Sequence, residues 1–301
     1  MLLNIGKPAA EAPEDWADRW WTSADGLRLH ARDYAAASGE AKLPVVLIHG
    51  LTRNARDFED LAPRIAAWGR RALVVDVRGR GLSDRDSDPL NYHPSVYAAD
   101  VALLLDRLGI RRAQFVGTSM GGLITMVMTT TRPELVAGVV LNDVGPVIAT
   151  EGLNRIAGYV GKPVAAGTWK DAADHVRANN AHALPHYDDR AWARMARRLF
   201  REGPGGAPEL DYDLQIAELI RAAAGEPAPD LWPYFEALAA GRPLTIVHGV
   251  NSDLLDADTV ARMREAAPHA NLAEVPNVGH APMLDEPEAL AAIEAHLAAT
   301  P

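Results

Sequence analysis

QFVGTSMGGLIT, residues 114–125, sets Ser119 between glycines immediately after an apolar run with strand character. The question is whether this serine is a nucleophile or a small polar residue in a tight turn. A five-residue GxSxG match is weak by itself. With 24 glycines and 7 serines in 301 positions, chance supplies one in about one sequence of twenty. The surrounding chain has to decide.

Outward from that stretch, strands and helices alternate. DRWWTS and LRLHARDY flank ADG and predict a hairpin. LPVVLIHG is a continuous apolar run ending in glycine, the form of a strand buried on both faces, and ALVVDVRGRG repeats it. Asn54 is expected to cap the helix after the first of these, with Asp57 as a capping-box partner. HPSVYAADVALLLDRLG has helical spacing, AQFVG is the next strand, MGGLITMVMTTT a helix and LVAGVVLND a further strand. Such alternation predicts βαβ units and a mostly parallel, doubly wound sheet of the α/β class.

The rhythm then stops. From about Pro146 to Ala240 only helix-like segments are evident, including KDAADHVRAN and DRAWARMARRLF, with breaks at REGPGGAPE and GEPAPD. Strand character returns at PLTIVHG and NLAEVP, before a last helix, EPEALAAIEAHLAA. The expected organisation is a core over 1–145 and 241–301, interrupted by a helical cap over 146–240.

Composition narrows the function. A chain of 301 residues with 48% hydrophobic and 23% charged residues suits a globular enzyme. A formal charge of −10 without a basic cluster argues against a nucleic-acid partner. The absence of cysteine removes disulfides, thiolate metal sites and cysteine nucleophiles. Residues 113–131 carry no charge, but their glycines and threonines read as strand, turn and helix, not as a membrane span. The N-terminus lacks a signal-peptide pattern, so the expectation is a cytoplasmic protein without membrane insertion. Composition leaves the oligomeric state open.

A nucleophilic serine needs a base, a group that orients the base, and two backbone donors for the oxyanion. All four should lie at the carboxyl ends of strands. Ser119 itself sits at such an end, because Gly117 and Gly121 permit a sharp strand-to-helix turn, the nucleophile elbow. Met120 N–H, at the helix start, is one expected oxyanion donor, and Leu51 N–H in IHGLT is the other. His280, in VPNVGHAPMLDEP after the last strand, is the candidate base. Asp253, in IVHGVNSDLL and 27 residues earlier, is the candidate acid.

Together the segments HGLT, DVRGRGLS, GTSMGG, SD and GHAPMLDEP resemble the α/β-hydrolase superfamily, in its esterase and enol-lactonase-like branch. The resemblance runs from about Trp20 to Leu297 outside the insertion. It implies an α/β-hydrolase fold with a helical lid, nucleophile Ser119, base His280 and acid Asp253, acting on a small-molecule ester or lactone without cofactor or metal. Some relatives take the acid from the strand before the insertion, which makes Asp143 the alternative. The same triad serves carbon–carbon bond hydrolysis and perhydrolysis, and some proteins of this fold are slow-turnover sensors.

Other features have plainer readings. Ser83, in DVRGRGLSD, is expected to shape a turn. Arg53 and Asn54 suit capping and solvation, with binding of a substrate carboxylate as the alternative for both, Arg53 being the candidate pocket residue. His182 and His186 have a metal-like spacing, but Pro185 breaks the helix that would align them. Asp256 suits a helix cap. Tryptophans and tyrosines of the insertion are mostly expected in its core, with Trp169 and Trp232 as candidates for the substrate pocket.

Overall fold

The computed structural model describes residues 16–37, 42–222 and 229–300. Its main sheet has eight strands: β1 (Ala17–Thr22), β2 (Arg28–Tyr34), β3 (Val45–Ile48), β4 (Ala72–Asp76), β5 (Ala113–Thr118), β6 (Val136–Asn142), and, after a two-stranded hairpin β7–β8, β9 (Leu244–Gly249) and β10 (Asn271–Val275). Their order is β1-β2-β4-β3-β5-β6-β9-β10. β1 and β2 pair antiparallel, as do β2 and β4; every pairing from β4 to β10 is parallel.

The apolar runs are continuous because the central strands are covered on both faces. Along β3, Val46 and Ile48 enter one core, while Val45 and Leu47 enter the other. The first core contains α2 (Pro94–Arg107) and α3 (Met120–Thr131), through Leu104, Leu105 and Ile124. The second contains α1 (Leu61–Ala67) and α10 (Pro287–Ala298), through Leu61, Ile65, Ala289 and Ile293. Helix α9 (Ala257–Ala266) links β9 to β10, and Asp256 caps it by accepting Thr259 N–H at 2.7 Å.

Strand order reverses around β3: β4 lies on one side and β5 on the other. The loops leaving β3 and β5 therefore diverge at a topological switch point, where an open α/β sheet forms its crevice. Those loops carry Leu51 and Ser119.

Between β6 and β9 lie α4 (Thr150–Tyr159), α5 (Trp169–Asn180), α6 (Asp189–Leu199), the hairpin β7 (Phe200–Glu202) and β8 (Pro208–Leu210), α7 (Ala217–Ala222) and α8 (Trp232–Ala239). Two expectations need correction. The insertion is not purely helical, because β7 and β8 pair antiparallel around Gly205 and Gly206, both with positive φ. REGPGGAPE is thus a turn between three-residue strands too short to show alternation. Nor does a cap extend to 240: α8 packs on α3, and its Phe235 and Leu238 are buried in the same core as Ile124.

Candidate active site

Ser119 occupies the turn between β5 and α3 with φ 51° and ψ −114°, a left-handed conformation that a serine adopts only where its surroundings force it. A Cβ at Gly121 would sit 2.0 Å from the Ile48 carbonyl oxygen, and one at Gly117 would sit 2.6 Å from the Gly121 backbone. The glycines of GTSMG are therefore required by close approach. Ser119 N–H donates to Asn142 O at 2.9 Å, tying the elbow to β6.

His280 Nε2 lies 3.0 Å from Ser119 Oγ, and His280 Nδ1 lies 2.8 Å from Asp143 Oδ2. A carboxylate can only accept, so Nδ1 carries the proton and Nε2 is free to accept from the serine hydroxyl. The carboxylate paired with His280 is thus that of Asp143, at the end of β6, and not that of Asp253. Asp143 is fully buried and has φ 56°. Its Oδ1 accepts Gly249 N–H at 2.9 Å, and its Oδ2 also accepts the Ser252 hydroxyl at 2.6 Å. Ser252 Oγ in turn accepts Leu254 and Leu255 N–H at 3.2 and 3.1 Å. Sequence reading missed Ser252, although it is the first residue of the SD pair.

Asp253, the residue expected in this role, turns toward the insertion. Its carboxylate takes Arg155 Nε at 2.5 Å and Nη2 at 2.8 Å. Burial pushes the Asp253 carboxyl up, but the two Arg155 bonds outweigh it and hold the carboxyl below its usual range. His182 Nε2 stands 4.0 Å away, while His186 stacks edge-on against Tyr187. Among the described residues no group of three or more His, Cys, Asp or Glu could hold a metal ion.

The loop expected to supply the second oxyanion donor follows β3. His49 is fully buried and its pKa is lowered to about 4 by that burial; the neutral ring bonds Gly50 O through Nδ1 at 2.7 Å and accepts Val77 N–H at Nε2, 3.1 Å away. Met120 N–H is the first amide of α3 and has no intrahelical acceptor. Leu51 borders the same cleft as Ser119. One buried guanidinium touches both residues: Arg80 Nε donates to Leu51 O at 2.9 Å, and Nη2 meets Met120 Sδ at 3.5 Å. Arg80 Nη1 is anchored by Tyr97 Oη and Arg78 O, each at 2.8 Å.

Ser83 shapes a turn, as expected: its hydroxyl donates to Asp76 O at 2.6 Å and accepts His30 N–H at 2.9 Å. Asn54 caps a short 3₁₀ turn, Ala55–Phe58, by accepting Arg56 N–H. Asp57 is not its capping-box partner, because that carboxylate accepts from Arg53.

A narrow cleft of about 50 Å³ opens on Ser119 and His280, bordered by Leu51, Thr52 and Arg53 from the core and by Arg155, Ile156, Tyr159 and Asn180 from the insertion. Neither tryptophan expected there borders it. The Arg197 guanidinium lies over Trp169 at 3.5 Å, in a separate groove between α5 and α6. Trp232 lies edge-on to Phe235 and under Arg262, on the α8 side of the core. Ring type alone does not encode which face of a helix meets the cleft; Tyr159 does so from the last turn of α4.

An acceptor-oriented histidine beside a strained elbow serine defines a hydrolase-type site, and the comparisons agree. The Alpha/beta hydrolase family pattern matches residues 45–293, and the chain belongs to that family. It is 36% identical to the 3-hydroxybutyrate-oligomer hydrolase of Cupriavidus necator, over 84% of this chain and 88% of that protein. It is 28% identical to the 2-(acetamidomethylene)succinate hydrolase of Mesorhizobium japonicum, over 78% and 81%. A crystal structure of an alpha/beta hydrolase from Novosphingobium aromaticivorans superposes with a TM-score of 0.88 at 46% identity, over 94% of this chain and 98% of that one. Among the described residues no helix is long and apolar enough to cross a membrane.

Proposed function

We propose that this hydrolase cleaves a carboxylic ester through an acyl-enzyme, with Ser119 as nucleophile, His280 as base and Asp143 as the orienting acid. The observation that carries the reading is the continuous line Ser119 Oγ, His280 Nε2, His280 Nδ1, Asp143 Oδ2, with links of 3.0 and 2.8 Å. His280 takes the hydroxyl proton as Ser119 Oγ attacks the carbonyl carbon. The oxyanion is received by Leu51 and Met120 N–H, the second of them favoured by the positive end of α3. His280 then protonates the leaving alcohol and afterwards activates water against the acyl-serine.

The names of relatives support the ester class, since the Cupriavidus necator protein acts on 3-hydroxybutyrate oligomers, and such oligomers are joined by ester bonds. The experiment is turnover of short-chain p-nitrophenyl esters by wild type and Ser119→Ala. The reading expects loss of activity on the order of 10⁶-fold; retention of most activity by a folded Ser119→Ala protein refutes it.

A further inference from the structure

We propose that Arg53 is a carboxylate-binding residue, so that the substrates of this site are esters carrying a free carboxylate on the leaving alcohol. This rests on the esterase reading above and names its substrate class.

Arg53 borders the cleft beside Ser119, and its side chain is only 15% exposed. Gly50 lies between the two: a Cβ placed on it would be in ordinary contact with Arg53 Cγ at 3.6 Å and Ser119 Cβ at 3.8 Å. A guanidinium has five N–H donors in a rigid fork. Among the described residues the Arg53 side chain makes one hydrogen bond, from Nη1 to Asp57 Oδ1 at 3.2 Å. That is long for a charge-assisted bond. None of its other donors is buried without a partner. The remaining donors of the fork are therefore accessible on a residue that borders the cleft, and a bidentate carboxylate would satisfy them.

Arg155 gives the contrast. It borders the same cleft, but its Nε and Nη2 are already committed bidentately to Asp253. Next to the catalytic cleft lies a second, narrow pocket of about 40 Å³, which shares Thr52, Arg53, Tyr159 and Asn180 with it. Arg53 thus stands where the two meet, in the cleft that opens on Ser119. With an acyloxy carboxylate, Ser119 Oγ bonds to the acyl carbon, the ester C–O bond breaks, and the leaving alkoxide takes the proton held by His280. The product hydroxy acid departs with its carboxylate, and water hydrolyses the acyl-serine.

The test compares 3-acetoxybutyrate with its neutral primary amide, reading acetate release as kcat/KM. Wild type should favour the carboxylate by about tenfold or more, and Arg53→Gln should bring the ratio to about one, with Arg53→Lys between them because a point charge lacks the fork. A wild-type ratio near one, or a ratio that Arg53→Gln leaves in place, overturns the proposal. Calorimetry of both compounds on Ser119→Ala, which keeps Arg53, separates this from the esterase reading. Preferential binding of the carboxylate there, with neither compound hydrolysed by wild type, sinks the ester chemistry and keeps the Arg53 site. Equal binding sinks the Arg53 site alone.

Discussion

Asp143 Oδ2 accepts two hydrogen bonds at once, His280 Nδ1–H at 2.8 Å and the Ser252 hydroxyl at 2.6 Å. The carboxylate is fixed from β6 and from the loop after β9, and it fixes the imidazole in turn. Asp143→Asn should therefore leave the histidine in the wrong tautomer and cost roughly 10⁴-fold in kcat. Asp253→Asn should cost far less, since it only loosens the Arg155 contact. Steady-state kinetics on the two variants decide the matter, and a dead Asp253→Asn beside an active Asp143→Asn would reverse the assignment.

That pair also marks where sequence reading succeeded and failed. GTSMG announced the elbow because a 2.0 Å approach leaves no room for a Cβ at Gly121. His280 was legible from its place after the last strand. Two aspartates follow neighbouring strands, however, and chain order pointed to Asp253, whereas His280 meets Asp143. The choice depends on a side-chain direction: Asp253 is drawn away by Arg155, a residue 98 positions distant. The β7–β8 hairpin and the core-packed α8 were missed for related reasons, a strand too short to alternate and a helix whose partner lies over a hundred residues earlier.

Arg80 is expected to be a positioning residue, holding Leu51 O and Met120 Sδ. Arg80→Met should lower kcat on the order of 10–10²-fold with KM little changed, because the loss falls on the transition state. Arg80→Lys should recover part of it. A rise in KM at constant kcat, or a fall in thermal stability alone, would contradict the role.

Acid stability should depend on His296. Burial, reinforced by the Arg70 charge, lowers its pKa to about 4, so the fold holds it neutral between Thr245 Oγ1 and Gln114 Oε1. The unfolded imidazole titrates near 6.5, hence this stability is complete above 6.5 and is lost as pH falls toward 4. Raised carboxyls at Asp100, Asp211 and Glu286 act in the opposite sense, so the comparison must be with a variant. Between pH 7 and pH 5 wild type should lose about 2 kcal/mol more than His296→Gln in denaturant unfolding; parallel curves would refute it.

Substrate size should be read by the residues that border the cleft. Tyr159→Ala and Ile156→Ala should reorder preference among esters of increasing acyl length, by about 1–3 kcal/mol per methylene at most. Trp169→Ala, whose ring is under Arg197 in another groove, should leave that order as in wild type. An acyl-chain series of kcat/KM values on the three variants provides the check, and a reordering confined to Trp169→Ala would put the substrate elsewhere.

The most direct measurement is covalent. A fluorophosphonate probe, followed by peptide mass spectrometry, should leave one adduct, on Ser119, at a rate that Asp143→Asn and His280→Ala sharply reduce. Labelling of a different serine, or none on a folded protein, would contradict the account.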